Sequence, residues 1–352
     1  MVTGDGAGNF HPTDGLSRAE ACILFQRALA CGEGQTTLPP EPVETTPPQP
    51  VEAVAGGVSE NGWLQVLEGR LCNERGEPVV LRGMSSHGLQ WYGQFTGAQA
   101  IQNTAAYGAN VFRVAMYTGE GGYLSQPENV KQKAFAAVDA AIRNDLYVIL
   151  DWHILSDGNP MSHVEEAERF FTEAAERYQD TPHVLYEICN EPNGNLSWEG
   201  DVKPYAQRVT AAIRAQSPKG IILIGSPTWS QDIHLAAADP LEGENLMYTL
   251  HFYAGTHGQW LRDRITQVQD QGLAVFVSEW GTSRADGSGG VFPEESQVWL
   301  DFLEQRGISW CNWSLCDKNE TSAALKPGTL AEGVWREEDL SESGKFVFSH
   351  FR

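Results

Sequence analysis

Short runs of β-branched and aromatic residues recur along most of the chain. Eight of them begin at positions 79, 110, 146, 184, 221, 246, 273 and 308. Helical patterns lie between the runs, as in 130–144 and 165–178, where apolar residues recur at spacings of three and four. Strands that alternate with helices favour a parallel sheet, and eight such units are the number that closes a barrel. We therefore predict an α/β protein with a (β/α)8 TIM barrel.

A doubly wound open sheet is the alternative fold. Proteins of that kind that bind dinucleotides carry a G-x-G-x-x-G turn after the first strand, and no such turn follows the first run here. The closed barrel is therefore the preferred architecture.

The chain before the barrel differs in composition. Residues 35–57 are rich in Pro, Thr and Glu and lack apolar periodicity, which predicts an extended linker. Residues 1–34 are rich in turn residues and lead into a helix, for which Ser17 and Glu20 would form a capping box. Residues 58–352 are assigned to the catalytic barrel, which would start with a short hairpin turning at Glu74–Arg75–Gly76.

Charge and cysteine content exclude several classes of protein. With 46 acidic and 24 basic residues the net charge is −22, which argues against nucleic acid or an anionic membrane as partner. No apolar run approaches the roughly 18 residues of a membrane span, and no signal peptide is evident. The start "MVTGDGAG" suggests the interior of a longer precursor, so location stays open. Cys189 and Cys311 lie in apolar runs and are predicted to be buried, with no disulfide framework or zinc site.

Polar residues gather where the predicted strands end. They are His87, Arg113, Tyr117, Asp151, His153, Asn190, Glu191, Trp229, His251, Tyr253, Glu279 and Trp313. In a (β/α)8 barrel the C-terminal ends of the strands carry the active site. The pattern therefore predicts one polar cleft lined with aromatic rings.

Two glutamates in this set suggest a reaction. Glu191 and Glu279 each follow an apolar run, three units apart. A pair of facing carboxyl groups is the equipment of glycoside hydrolysis, in which one is a neutral acid and the other a charged nucleophile or base. Arg113 would favour the ionised form of a nearby carboxylate. Flat apolar faces of sugars stack on indole rings, for which the candidates are Trp91, Trp229, Trp260 and Trp313.

Two other classes compete with this interpretation. A metal-dependent barrel hydrolase could use Asp151 and His153 with His87 and His251, but such sites usually pair two histidines on one strand. We therefore predict no metal and no cofactor. A carbohydrate-binding protein without catalysis would not need both glutamates.

The catalytic part of the chain resembles a known family. Residues 61–352 are similar to bacterial endo-β-1,4-glucanases of glycoside hydrolase family 5, in the group near the Bacillus cellulases. The segments that carry the resemblance are "SSHGLQWYG", "VFRVAMYT", "YVILDWHILSDGNP", "YEICNEPNG", "PTWSQD", "LHFYAGTHGQWLRD", "FVSEWGTS", "WCNWSLCDKNE" and "SAALKPG". Ser226–Pro227 before Trp229 is a local departure from the pattern of the family, which puts the loop after the fifth run in doubt.

The resemblance implies roles for individual residues. Glu191 would be the general acid/base and Glu279 the nucleophile of a retaining reaction, with the carboxyl groups about 5 to 5.5 Å apart. Supporting roles would fall on Arg113, Asn190, His251 and Tyr253, with Asn190 bonding the 2-hydroxyl of the sugar. The sugar subsites would be lined by His87, Trp91, Tyr92, Tyr117, His153, Trp229, Trp313, Lys318 and Glu320.

The implied substrate is a β-1,4-glucan such as cellulose, cleaved internally by a monomeric enzyme. A β-mannanase, xyloglucanase or mixed-linkage glucanase on the same scaffold stays open, because single residues do not determine that choice.

The N-terminal segment resembles part of an S-layer homology module. The matching positions are Asp5, Gly6, Gly8, Asn9, Phe10, Pro12, Asp14, Ser17, Arg18, Ala19 and Glu20. The resemblance implies attachment to a bacterial cell-wall polymer, and hence a secreted or cell-surface protein. A calcium-binding loop is the alternative, but Ala7, His11 and Leu16 stand where ligands would be needed.

Overall fold

The computed structural model describes residues 53–351, together with the backbone of two short strands near the N-terminus. The chain divides into two units, Met1–Pro47 and Pro48–Arg352. In the first unit the strands Thr3–Gly4 and Phe10–His11 pair in antiparallel fashion. The predicted capped helix, the S-layer resemblance and most of the predicted linker lie outside the described residues.

Eight parallel strands of the described residues close into a barrel. They are β1 Arg82–Ser86, β2 Val111–Tyr117, β3 Tyr147–His153, β4 Val184–Glu187, β5 Ile221–Ile224, β6 Leu246–Tyr253, β7 Val275–Gly281 and β8 Trp310–Leu315. Each strand pairs with the next along the chain, and β8 pairs with β1. Nearly every strand residue is buried, as expected for a parallel sheet covered by helices. The predicted (β/α)8 barrel is confirmed.

A main helix follows each strand. These helices are α1 Ala98–Ala106, α2 Pro127–Arg143, α3 Val164–Tyr178, α4 Lys203–Arg214, α5 Ile233–Ala238, α6 Gln259–Asp270, α7 Pro293–Arg306 and α8 Glu342–Phe348. The helices predicted over 130–144 and 165–178 correspond to α2 and α3. Both have acidic residues in the first turn and an arginine in the last, which suits the helix dipole.

Shorter helical segments occupy several connections. They are the single turns Val58–Asn61, Leu89–Tyr92 and Pro227–Ser230, the 3₁₀ segments Gly93–Thr96, Pro160–His163 and Glu337–Asp339, and the π-helical turn Trp198–Val202. Within the described part of the chain, no helix is long and apolar enough to cross a membrane.

The apolar core has two layers. One lies between the strands and the outer helices. The other fills the barrel at its N-terminal end, where Tyr147 and Ile221 start their strands and Cys311 is buried. Leu64 and Leu71 from the preceding hairpin join this inner layer. The hairpin therefore closes the bottom of the barrel and leaves the opposite end for a site. Cys189 is buried as predicted.

The hairpin is placed differently from the prediction. Its strands, Gln65–Leu67 and Arg70–Cys72, meet at Glu68–Gly69, where both residues have positive φ, 49° and 72°. The predicted turn at Glu74–Gly76 follows it and carries a single antiparallel bridge between Cys72 and Pro78. The sequence did not distinguish the two turns, because each of them contains a Glu and a Gly.

Two strand ends also differ from the prediction. Strand β4 ends at Glu187, so Asn190 and Glu191 lie in the extended segment beyond it instead of ending the strand. Glu279 lies inside β7, two residues before its end. The run "VLYEICN" is apolar beyond the last strand residue because Ile188 and Cys189 are buried under the rim.

Candidate active site

A cleft of about 680 Å³ opens at the C-terminal ends of the barrel strands. It brings together most of the predicted site residues: His87, Trp91, Tyr117, His153, Glu191, Trp229, His251, Tyr253, Glu279, Trp313, Lys318 and Glu320. Of the residues to which the family resemblance gives a role, three are not part of its wall. Arg113 and Asn190 are buried beneath it, and Tyr92 packs with its ring centroid 4.9 Å from that of His87.

A buried arginine organises the floor of the cleft. The Arg113 guanidinium donates from Nη1 to Glu279 Oε2 at 3.0 Å and from Nε to Glu187 Oε2 at 2.7 Å. Its Nη2 donates to Asn190 Oδ1 at 2.6 Å and lies 3.0 Å from Asp151 Oδ2. A fully buried cation needs such compensation, because leaving it unpaired would cost several kcal/mol. Arg113, on β2, is thereby fixed by contacts with acidic side chains on β3, β4 and β7.

Glu279 is held as a carboxylate. Tyr253 Oη donates to its Oε1 at 2.7 Å, while Arg113 occupies its Oε2. Burial alone would raise the pKa of Glu279, but the positive charges of His251 and Arg113 and the tyrosine hydrogen bond together lower that pKa. Both oxygens are oriented and the negative charge is kept.

Glu191 has the opposite electrostatic setting. Its side chain is 12% exposed at the cleft wall. Burial and the neighbouring charge of Glu279 raise the pKa of Glu191, although a hydrogen bond with His251 opposes the change. One carboxylate oxygen of Glu191 lies within 4.8 Å of one of Glu279. The two glutamates are therefore close together, with their pKa values pushed apart.

Hydrogen-bond directions around His251 show where the Glu191 proton can reside. Ser278 Oγ donates to Glu187 Oε1 at 2.7 Å, so its oxygen must accept the 2.9 Å bond from His251 Nε2. Burial lowers the pKa of His251, but the nearby carboxyl groups of Glu187, 3.7 Å from Nε2, and of Glu191 outweigh it and raise that pKa to about 9. The charged ring then donates from Nδ1 to Glu191 Oε1 at 2.9 Å. A proton on Glu191 would therefore have to reside on Oε2, because Oε1 accepts the hydrogen bond from His251.

The predictions from sequence missed Glu187 and Ser278. Glu187 lies in the middle of an apolar run, where a single acid has no positional signal of function. Arg113 holds the pKa of Glu187 down to about 2 against the effect of burial. The available signal was its place on a strand facing the same barrel interior as Arg113, which required the register of β2, β3 and β4.

Asn190 and His153 are held on the other side of the arginine. Asn190 Nδ2 donates to Ile154 O at 3.0 Å and lies 3.3 Å from His153 Nε2. His153 Nδ1 lies 2.5 Å from Asp151 Oδ2. Burial and the Arg113 charge lower the pKa of His153 to about 3, so the ring is neutral.

The loop after β5 is fastened to the segment that carries Glu191. Thr228, Trp229 and Ser230 have left-handed backbones, with φ of 58°, 53° and 55°. Trp229 N donates to Pro192 O at 3.1 Å, and Ser230 Oγ donates to Asn190 O at 2.6 Å. The loop that the Ser226–Pro227 departure had put in doubt therefore places Trp229 in the cleft wall, 46% exposed.

Aromatic rings and an ion pair form the cleft near β1, β2 and β8. Trp313 stacks on His153 at a centroid distance of 5.3 Å, and Trp91 meets Tyr117 at 5.1 Å. Lys318 and Glu320 pair at 2.5 Å on the same wall. Burial and the Lys318 charge lower the pKa of His87 to about 4, so this imidazole is also neutral. Trp260, the fourth tryptophan considered for stacking on sugar rings, does not line this cleft.

The alternative metal site does not form as predicted. Asp151 and His153 bond to each other, and among residues 53–351 the group with the spacing of metal ligands is instead Glu191, His251 and Glu279. The carboxylates beside His251 raise its pKa to about 9, so a metal ion at this group would have to displace a proton from the ring. The donor set fits proton transfer better than metal binding.

Two carboxyl groups with pKa values shifted in opposite directions, close together in an aromatic cleft at the rim of a (β/α)8 barrel, define the glycoside hydrolase class. Residues 72–319 match the family model described as Cellulase (glycosyl hydrolase family 5), and the chain belongs to that family.

Two bacterial endoglucanases are similar to the chain over most of its length. The chain is 52% identical over 297 residues to an endoglucanase of Clostridium saccharobutylicum, covering 84% of this chain and 66% of that protein. It is 53% identical over 279 residues to endoglucanase A of Evansella cellulosilytica, covering 79% and 57%. The chain thus spans less than two thirds of the length of these relatives.

Solved structures show the same fold. The catalytic domain of Thermobifida fusca endoglucanase Cel5A superimposes with a TM-score of 0.81 at 35% identity, covering 84% of this chain and 99% of that one. A structure from Cytophaga hutchinsonii gives a TM-score of 0.82 at 40% identity, covering 84% and 96%.

Proposed function

We propose that the protein is a retaining endo-β-1,4-glucanase that cleaves internal bonds of cellulose and related β-glucans by double displacement. The observation that carries this proposal is the pairing of Glu191 and Glu279 within 4.8 Å with their pKa values shifted in opposite directions. Retaining enzymes hold their carboxyl groups about 5 to 5.5 Å apart, whereas inverting enzymes need about 6.5 to 9.5 Å to admit a water between them.

The first step forms a covalent intermediate. The Glu279 carboxylate attacks the anomeric carbon, and the bond from that carbon to the bridging oxygen breaks. Glu191 gives its Oε2 proton to the departing oxygen, which leaves as a sugar hydroxyl. Tyr253 and Arg113 keep Glu279 oriented throughout, because both donors are already in place before substrate arrives.

The second step reverses the roles. Glu191, now a carboxylate, takes a proton from a water molecule whose oxygen attacks the anomeric carbon and releases Glu279. The His251 Nδ1–H stabilises the Glu191 carboxylate during this interval. Ser278 and Glu187 keep that imidazole charged and correctly turned, so that one ring serves both protonation states of the acid.

The direction of the cleft supports internal cleavage. Trp91 follows β1 and Trp229 follows β5, on opposite sides of an eight-stranded barrel, and both side chains are nearly half exposed. Glu191 and Glu279 come from the regions of β4 and β7. A chain crossing the mouth from one tryptophan to the other would pass the two carboxyl groups in its middle.

Cellulose-like chains are the substrate that the comparisons favour. Named relatives at 52–53% identity are endoglucanases, and one solved form of the Thermobifida fusca enzyme is a complex with cellotetraose. Mannan, xyloglucan and mixed-linkage glucan are the alternatives on the same scaffold. A product panel over these polysaccharides and carboxymethylcellulose should show the highest specific activity on unsubstituted β-1,4-glucan.

The stereochemistry of hydrolysis tests the mechanism. Proton NMR during cellopentaose cleavage should show the β-anomer first, and E191Q and E279Q proteins should lose several orders of magnitude in kcat. The viscosity of carboxymethylcellulose should fall faster than reducing ends appear. Initial release of the α-anomer, or near-normal turnover in either variant, would refute the proposal.

We further propose that the N-terminal segment attaches a secreted, monomeric enzyme to a cell-wall polymer. Only the sequence of residues 5–20 supports this, through the S-layer resemblance. The full chain should sediment with purified bacterial cell walls more than a variant that starts at Ala53. Equal sedimentation of the two proteins would refute attachment. Light scattering of the full chain would test whether it is a monomer in solution.

A further inference from the structure

One large indole lies beyond the wall of the cleft. Trp260 is on the first turn of α6 and is 49% exposed, yet it does not line the cleft. A single exposed apolar side chain is ordinary on a protein surface. What distinguishes Trp260 is how firmly its ring is held.

Arg264 fixes the orientation of the indole. Its guanidinium lies over the Trp260 ring at 5.3 Å from the centroid. The same group donates from Nη1 to Gln231 O at 2.9 Å and to Asp232 Oδ1 at 2.7 Å. The arginine is thus anchored on the loop after β5 and covers one side of the ring. An indole ordered in advance binds with a smaller entropy cost than a mobile one.

The anchoring loop connects this indole with the cleft. Gln231, whose carbonyl holds Arg264, lines the cleft two residues after Trp229. His257, another lining residue, has its ring centroid 6.0 Å from that of Trp260. Trp260 is therefore linked to two residues that line the cleft, to His257 by the ring contact and to Gln231 through Arg264.

We infer that Trp260 is an additional sugar-binding position, which stacks on a glucosyl unit of the bound chain beyond the unit at Trp229. This rests on the proposed glucanase function. The ligand at this position would be an uncharged β-1,4-linked glucose ring, whose apolar face stacks on the exposed face of the indole. A short oligosaccharide that ends within the cleft would not reach this position, so the contribution of Trp260 depends on chain length.

The dependence on chain length is the test. We would measure kcat/KM for cellotetraose, cellopentaose, cellohexaose and celloheptaose with the wild-type protein and W260A. The variant should match wild type on the shortest substrate and lose about five- to tenfold on the longest. W260F should keep most of the advantage on long chains. V298A, which removes a similarly exposed apolar side chain from α7, should change neither end of the series.

Two outcomes would overturn the inference. Equal kcat/KM for W260A and wild type at every length would show that no sugar binds there. A loss of the same factor at every length would show that Trp260 only shapes the cleft. If W260A does not fold, W260L keeps an apolar side chain without the aromatic face and answers the same question. Failure of the glucanase proposal itself would be distinct, because the wild-type protein would then cleave none of these substrates.

Discussion

At the scale of single residues, the site depends on one buried cation that pairs with several acidic side chains. Arg113 bonds Glu187 and Glu279 and lies beside Asp151, while His251 bridges Ser278 and Glu191. Two glutamates with the same side chain thereby acquire pKa values shifted in opposite directions. Glu279 lies on the side of the arginine and tyrosine, and Glu191 on the side of the histidine.

Removing the tyrosine hydroxyl should move the acidic limb of the pH profile. Tyr253 Oη lowers the pKa of Glu279 by donating to its carboxylate. In Y253F that pKa rises, so Glu279 becomes protonated at higher pH and activity disappears earlier on acidification. We expect the acidic limb of kcat/KM on a soluble glucan to move upward by up to about one pH unit.

Y248F is the matched control. Tyr248 is on the same strand, but its hydroxyl accepts from Leu241 N, away from the cleft. Its pH profile should coincide with that of wild type. An unmoved acidic limb in Y253F would show that the hydroxyl does not influence the ionisation of Glu279.

At the scale of elements, hydrophobic periodicity was enough to predict the barrel and the ends of strands such as β3 and β6. It also placed Glu191 and Glu279 near one rim, because the C-terminal ends of all the strands lie at the same end of a barrel. Glu187 escaped because the partners that explain it, Arg113 and Ser278, come from other strands. The sequence did not show that Trp260 lies outside the cleft wall, because sequence spacing does not tell which side of a loop a helix faces. Contacts between distant segments were the missing information.

The loop after β5 should be sensitive to loss of one hydroxyl. In S230A the buried Asn190 carbonyl loses its Ser230 donor, which should lower the free energy of unfolding by about 1 to 3 kcal/mol. Because Asn190 precedes Glu191, kcat should fall too. Urea unfolding and steady-state kinetics measure the two effects.

T228G is a control variant in the same loop that should not lose stability. Thr228 has φ of 58°, and glycine adopts that conformation without steric cost. Its stability should equal or exceed that of wild type, with kcat unchanged. If S230A behaved like T228G, the hydroxyl would have no role in holding the segment of Glu191.

At the scale of the whole molecule, the described contacts of the catalytic unit start a few residues before the predicted boundary at 58. Val54 N donates to Pro78 O at 2.9 Å and the residue bridges Val79. Asn61 Nδ2 donates to the carbonyls of Ala55 and Gly56 at 3.2 and 3.3 Å. These bonds tie the approach to the barrel against its closed end.

Truncation should therefore separate stability from activity. A protein starting at Ala53 should keep the Tm of the barrel and full activity on soluble glucan. One starting at Gly57 should melt at lower temperature with similar kcat, because the Val54 and Ala55 bonds are lost and the cleft lies at the other end. Reduced kcat in the protein starting at Ala53 would contradict independence from the N-terminal segment.

The hydrogen bond from His251 to Ser278 also makes the acid/base observable. The Nε2 proton is buried and bonded in every charge state of the ring, so its exchange with solvent should be slow enough to give a downfield imidazole resonance. The chemical shift of that signal would respond to the charge on Glu191, whose Oε1 accepts from Nδ1 of the same ring. The molecule thus carries an internal spectroscopic reporter of its own catalytic cycle, readable without any added probe.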